Sequence, residues 1–217
     1  MTSQVNAVLT TPLLGATAVA ALVLVTVAYD AVGVLVTIIH EGAHTLFGIL
    51  TGQGVKHFRV IVGGRGVTQP KTAGWWPARI LTVSAGYLSP PLVGLGGAAL
   101  LATGAAWPLL WAVVVLLVSA FVKAEKEWTT FVVLLLAVAT GYVALYGRPT
   151  LQAAYAAGLV WILLFGGLRA AVRAGTDTNT DPDRLFRDTL IPRTVWKGAF
   201  IAVALWCLWK GFLLLAP

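Results

Sequence analysis

Residues 40–44 read His-Glu-Gly-Ala-His, an H-E-x-x-H sequence inside a long apolar stretch. Residues four apart on a helix share a face, so His40 and His44 can ligate one metal ion. Glu41 stands beside them, where a carboxylate can take a proton from an attacking water. Imidazoles and carboxylates are costly in hydrocarbon and are rarely kept there without a partner or a task. These residue types at this spacing point to zinc-dependent hydrolysis inside a membrane, with Zn²⁺ as cofactor and Glu41 as general base. The plain alternative is two histidines hydrogen-bonded within a helix bundle, with Glu41 as their counter-ion. The cost of burial favours the metal.

Catalytic zinc takes three protein ligands and keeps one position open. His57, the remaining histidine, lies in a basic loop beside Lys56 and reads as an interfacial residue. Glu125 and Glu127 alternate with Lys126 and read as a solvated cluster. Position 47 is Phe, so the longer H-E-x-x-H-x-x-G-x-x-H pattern is absent. Four aspartates remain before the last apolar run: Asp177, Asp181, Asp183 and Asp188. Elimination narrows the third ligand to this segment and does not choose among them. Thr180 or Asp181 before Pro182 is also a plain helix-start signal. Asp30, ten residues before His40, reads as a turn residue if two spans meet there, and as a buried acid if one broken helix runs through.

The elements that must position these groups are membrane helices. Of the 217 residues, 59% are hydrophobic and 11% charged, against about 25% charge in soluble domains. Mean hydropathy is +0.87. Apolar runs at 13–29, 31–51, 78–101, 106–122, 128–146, 151–171 and 193–215 approach the ~20 residues that cross a bilayer. The first two touch near Tyr29-Asp30. The expectation is an all-α membrane protein of six or seven transmembrane helices, one integral peptidase-like domain over 1–217, with a short β-hairpin-like segment after the H-E-x-x-H helix. In that segment Val55 to Val62 is strand-like, Gly63 to Gly66 turn-like, and Val67-Thr68 returns. Its edge suits pairing with an extended substrate strand.

The net charge of +7 does not indicate nucleic acid, because the basic residues border apolar runs. They gather on one side: Lys56, Arg59, Arg65, Lys71, Arg79, Lys123, Lys126, Arg169, Arg173, Arg184, Arg187 and Arg193. The positive-inside rule makes that side cytoplasmic. His40 is then ~18 Å of helix from the cytoplasmic end, and water reaches the motif from the cytoplasm. Residues 1–12 hold no Lys or Arg, so the first apolar run reads as a retained anchor. Cys207 is the sole cysteine and reads as packing. Trp75, Trp76, Trp107, Trp128 and Trp196 fall near span ends, as aromatic anchors do. Gly86 to Pro91, with Gly94, Gly97 and Ala98, makes a small-residue face suited to packing on the H-E-x-x-H helix.

The chain resembles the site-2 protease family of intramembrane zinc metallopeptidases, in its compact bacterial branch. The resemblance rests on Thr37 to His44, the Gly52 loop, Phe58 to Val62 with Gly66-Val67-Thr68, and Ala85-Gly86-Tyr87-Leu88-Ser89-Pro90. It closes with Thr180 to Leu185, then Thr189 and Ile191-Pro192. The branch carries its acidic ligand where this chain has Asp181, so the resemblance implies a His40, His44 and Asp181 zinc site. Pro182 stands where the branch has a small residue. The resemblance also implies a transmembrane protein or peptide as substrate and a bacterial cell membrane as location. Two other classes stay open: a non-proteolytic membrane protein with a structural or relic metal site, and a metal or proton transporter. The other spans are nearly free of acidic residues, which argues against the transporter.

Overall fold

The computed structural model describes residues 11–61, 65–72, 74–122 and 127–215, with the backbone alone at 11, 55–61, 65–70 and 127. Eight helices occur among them. They are α1 (Thr11–Val27), α2 (Tyr29–Leu50), α3 (Trp76–Ala102), α4 (Ala106–Phe121), α5 (Glu127–Tyr146), α6 (Pro149–Arg173), α7 (Asp181–Thr189) and α8 (Arg193–Leu215). The apolar runs form them because, in lipid, a helix satisfies every backbone group within one segment. Proline opens α3, α6 and α7 within their first two positions, where its missing N–H removes no bond. Positive-φ residues follow the ends of others: Gly52 (φ 74°) after α2, Gly104 (φ 84°) after α3 and Leu190 (φ 60°) after α7.

The expected span count needs correction. Five helices are long and apolar enough to cross a bilayer: α2, α3, α5 from Trp128, α6 and α8. The other two apolar helices, α1 and α4, have 17 and 16 residues. At 1.5 Å per residue they reach about 24–26 Å, short of the ~30 Å hydrocarbon core. The runs read at 13–29 and 106–122 were themselves only 17 residues each, so counting them as spans overstated the number. The class is all-α by its membrane body, with five such spans among the described residues in place of six or seven.

The segment after α2 also differs from expectation. Backbone β1 (Val55–Ile61) and β2 (Arg65–Pro70) pair antiparallel as an isolated two-stranded ladder, irregular between Val55 and His57. Arg65 and Gly66 already pair with Ile61 and Val60, so they do not belong to the expected turn at Gly63–Gly66. Residues 62–64 lie outside the described residues. Two strands alone are marginal in water, and this two-stranded sheet lies against α2.

α1 and α2 meet at Ala28, the sole residue between them (φ −121°, ψ 34°). The breadth of the core comes from α6 packing against α3. A Cβ on Gly97 would stand 2.8 Å from Val160, and one on Gly167 2.8 Å from Pro91. Small residues here let two backbones approach, which is how membrane helices gain van der Waals energy without a hydrophobic drive. Pairing of Pro91 with Gly167 and Gly97 with Val160 sets α3 and α6 antiparallel. Cys207 is buried, as expected of packing.

Candidate metal centre

α2 carries the H-E-x-x-H sequence at mid-length, with His40 ten residues before Leu50, or about 15 Å of helix. The i, i+4 spacing turns both imidazoles to α3. Their Nε2 atoms lie 3.1 Å apart and their rings are edge to face. His44 Nδ1 is 2.8 Å from the Thr82 carbonyl oxygen on α3. A carbonyl only accepts, so Nδ1 carries the proton and a neutral His44 presents a bare Nε2 lone pair. Tyr87 closes on His40 edge to face, ring centres 4.6 Å apart, and stacks on Phe200 from α8.

Asp181 is the first residue of α7, and its Oδ2 sits 3.2 Å from His40 Nε2 and 3.3 Å from His44 Nε2. Three lone-pair atoms therefore form a nearly equilateral triangle. Tetrahedral zinc with bonds of 2.0–2.1 Å separates its ligand atoms by about 3.3 Å. The donor set fits that ion, and His40, His44 and Asp181 form a group able to hold a metal.

Space, too, is kept for it. Gly86 on α3 faces the pair: a Cβ there would lie 2.4 Å from His44 Nε2 and 2.8 Å from His40 Cε1. No real Cβ tolerates such contacts, so only glycine lets α3 approach this closely. The Gly86→Ala protein should fold, since neither backbone need unwind, but its imidazoles must rotate out of register. Zinc content after purification should drop well below that of the wild type. Wild-type content would show that the gap has no part in the site. Four residues on, Pro90 and Pro91 lack the N–H groups that would bond the carbonyls of Gly86 and Tyr87. Two backbone acceptors beside the histidines are thereby left without their helical donors.

Two supports were not legible in the sequence. Thr82 acts through its backbone, which no residue type advertises. Gln53 is 2% exposed and ties the end of α2 to α3. Its Nε2, with two N–H groups, lies within hydrogen-bonding distance of Thr51 Oγ1 (2.8 Å), Thr82 Oγ1 (2.8 Å) and the Ala78 carbonyl (3.2 Å). It thereby holds the residue whose carbonyl orients His44.

The strap that delivers Asp181 is fastened at both ends. Asp183, fully buried, accepts from the Asn179 backbone N–H and pairs with Arg187 (2.8 Å) and Arg193 (2.5 Å). The Asn179 bond, with Arg187 and Arg193, holds its carboxyl below the usual range against the opposing effect of burial. Asp188 accepts from Arg79 Nε and Nη2 at 2.9 and 2.6 Å. Trp196, expected as an interfacial anchor, instead donates to Thr189 Oγ1 at 3.2 Å. Asp177 is exposed. Of the four candidate aspartates, the structure thus brings Asp181 to the histidines and uses Asp183 and Asp188 to hold it there.

Glu41 is 5% exposed and shares with His40 a cavity of about 270 Å³. Asp30, exposed at the start of α2, lines the same cavity. The side chains of His57 and Glu127, and all of Glu125, lie outside the described residues.

A family model described as peptidase M50B-like matches residues 13–211, nearly the whole chain. The chain belongs to the peptidase M50B-like family. This is the site-2 protease family, whose M50 members are zinc-dependent metalloproteases. Membership agrees with an integral membrane body of five long apolar helices, one of which carries the histidine pair. No curated protein and no solved structure matches the chain.

Proposed function

We propose that this M50B-like protein is an intramembrane zinc metalloendopeptidase, with His40, His44 and Asp181 as the metal ligands and Glu41 as the catalytic base. The observation that supports this most is the triangle of Nε2, Nε2 and Oδ2 atoms, 3.1–3.3 Å on a side, beside a buried glutamate. Zinc held there would supply a Lewis acid that brings the pKa of water towards ~7 and polarises a scissile carbonyl. His44 is held in the ligating tautomer by the Thr82 carbonyl. Asp181 offers Oδ2 to the site while Arg184 stands 3.6 Å from its other oxygen. Glu41 accepts the proton of the attacking water and passes it to the leaving amine. The cavity shared by Glu41 and His40 admits that water, and the basic flanks set its opening towards the cytoplasm.

The substrates of such a site are membrane-embedded proteins or peptides. A transmembrane helix shields its own carbonyls by hydrogen bonding, so the segment to be cut must first unwind. The decisive experiment is a zinc count joined to an assay against single-span substrates in detergent. Purified protein should hold about one zinc per chain. A chelator should stop cleavage, and added zinc should restore it. Protein that carries zinc but cuts none of a broad panel would favour a structural or relic site.

A further inference from the structure

We propose that the cavity beside the histidine pair carries a carboxylate-binding subsite for the substrate, formed by Arg169 and Arg173; it rests on the peptidase reading above. His40 and Glu41 share this cavity with Tyr29, Asp30, Arg169 and Arg173. Its volume is about 270 Å³. Against the roughly 30 Å³ that one water takes, this is room for a short stretch of extended peptide.

The charge balance of the neighbouring arginines singles these two out. Arg79, Arg184, Arg187 and Arg193 each pair with a carboxylate of the Asp181 strap. Arg169 and Arg173 are not drawn into the strap; they line the cavity together with the carboxylates of Asp30 and Glu41. Arg169 is nonetheless held in place. Its Nη1 donates to the Val25 and Thr26 carbonyls at the end of α1, the latter at 3.0 Å. Its guanidinium carbon lies 4.6 Å from the centre of the Tyr29 ring. These contacts orient the head group but bring no negative charge to it.

A guanidinium on the wall of a half-enclosed cavity attracts anions more strongly than it would in open water. Its planar fork matches a carboxylate in particular. A substrate carboxylate anchored at this end places a nearby peptide bond at the His40 and Glu41 end. That group is either the free terminus of the chain or an Asp or Glu side chain next to the cut.

The test uses binding, so it does not depend on turnover. Glu41→Gln protein in detergent is titrated with fluorophore-labelled apolar peptides read by anisotropy. One peptide ends in a free carboxylate, one in an amide, and one in an amide with a single internal Glu. At least one carboxylate peptide should bind roughly ten- to a hundredfold more tightly than the plain amide. The stronger of the two identifies the source. Adding Arg173→Gln should erase most of this preference. Arg173 is exposed at the end of α6, so its loss should leave the fold intact. The proposal is overturned if the plain amide matches both carboxylate peptides, whether all bind or none does. It is equally overturned if Arg173→Gln leaves the preference unchanged. Absence of cleavage alongside an intact preference would remove the peptidase reading and leave the subsite standing.

Discussion

The Glu41→Gln protein should keep about one zinc per chain and lose peptide hydrolysis by roughly a thousandfold, within the range general-base catalysis supplies. The substitution preserves shape at a residue 5% exposed, so packing around α2 is undisturbed. What disappears is a carboxylate able to accept a proton in the cavity that His40 also lines. The proposed ligand atoms lie on His40, His44 and Asp181 and stay as they are. Metal content and kcat/KM measured on one preparation therefore separate the two roles. Wild-type turnover by this variant would exclude Glu41 as base. Loss of zinc together with activity would instead make Glu41 a part of the metal-holding set.

Asp181→Ala should strip most of the zinc. The triangle loses its only anionic corner, and two imidazoles at 3.1 Å remain. The fall in affinity should exceed the roughly 10–100-fold typical of losing an outer-shell partner. Asp177→Ala makes the control, because Asp177 is exposed and lies in the same loop. Its zinc content should equal that of the wild type. Chelator competition on both variants checks the pair. Full occupancy in Asp181→Ala would exclude it as a ligand and reopen the choice among the four aspartates.

The two predictions draw on different kinds of information. His40, Glu41 and His44 were legible in the sequence because their relation is local. A helix of 3.6 residues per turn puts positions 40 and 44 on one face whatever surrounds it. The apolar runs were legible for a similar reason, since lipid admits few backbone structures and composition alone reveals them. Family resemblance added Asp181, through Thr180 to Leu185. Physical reading of the residues had stopped at four aspartates, since nothing local distinguishes them.

Only the tertiary structure brought one of those four to the histidines, because the distance from Asp181 to them depends on how the strap is fastened. Asp183 pairs with Arg187 and Arg193, and Asp188 with Arg79, 109 residues away in the chain. Asp183 with Arg187 is a local i, i+4 pair, whereas the pairs of Asp183 with Arg193 and of Asp188 with Arg79 join separate elements and leave no local trace. The same holds for the Thr82 carbonyl that orients His44 and for Gln53 behind it, whereas Gly86 stood in the small-residue face that the sequence set against the H-E-x-x-H helix. The sequence alone determined that a histidine pair able to share a metal stands on a long apolar helix, because periodicity and hydropathy are properties of short stretches. Closure of that pair into a three-cornered site was decided by packing across distant segments.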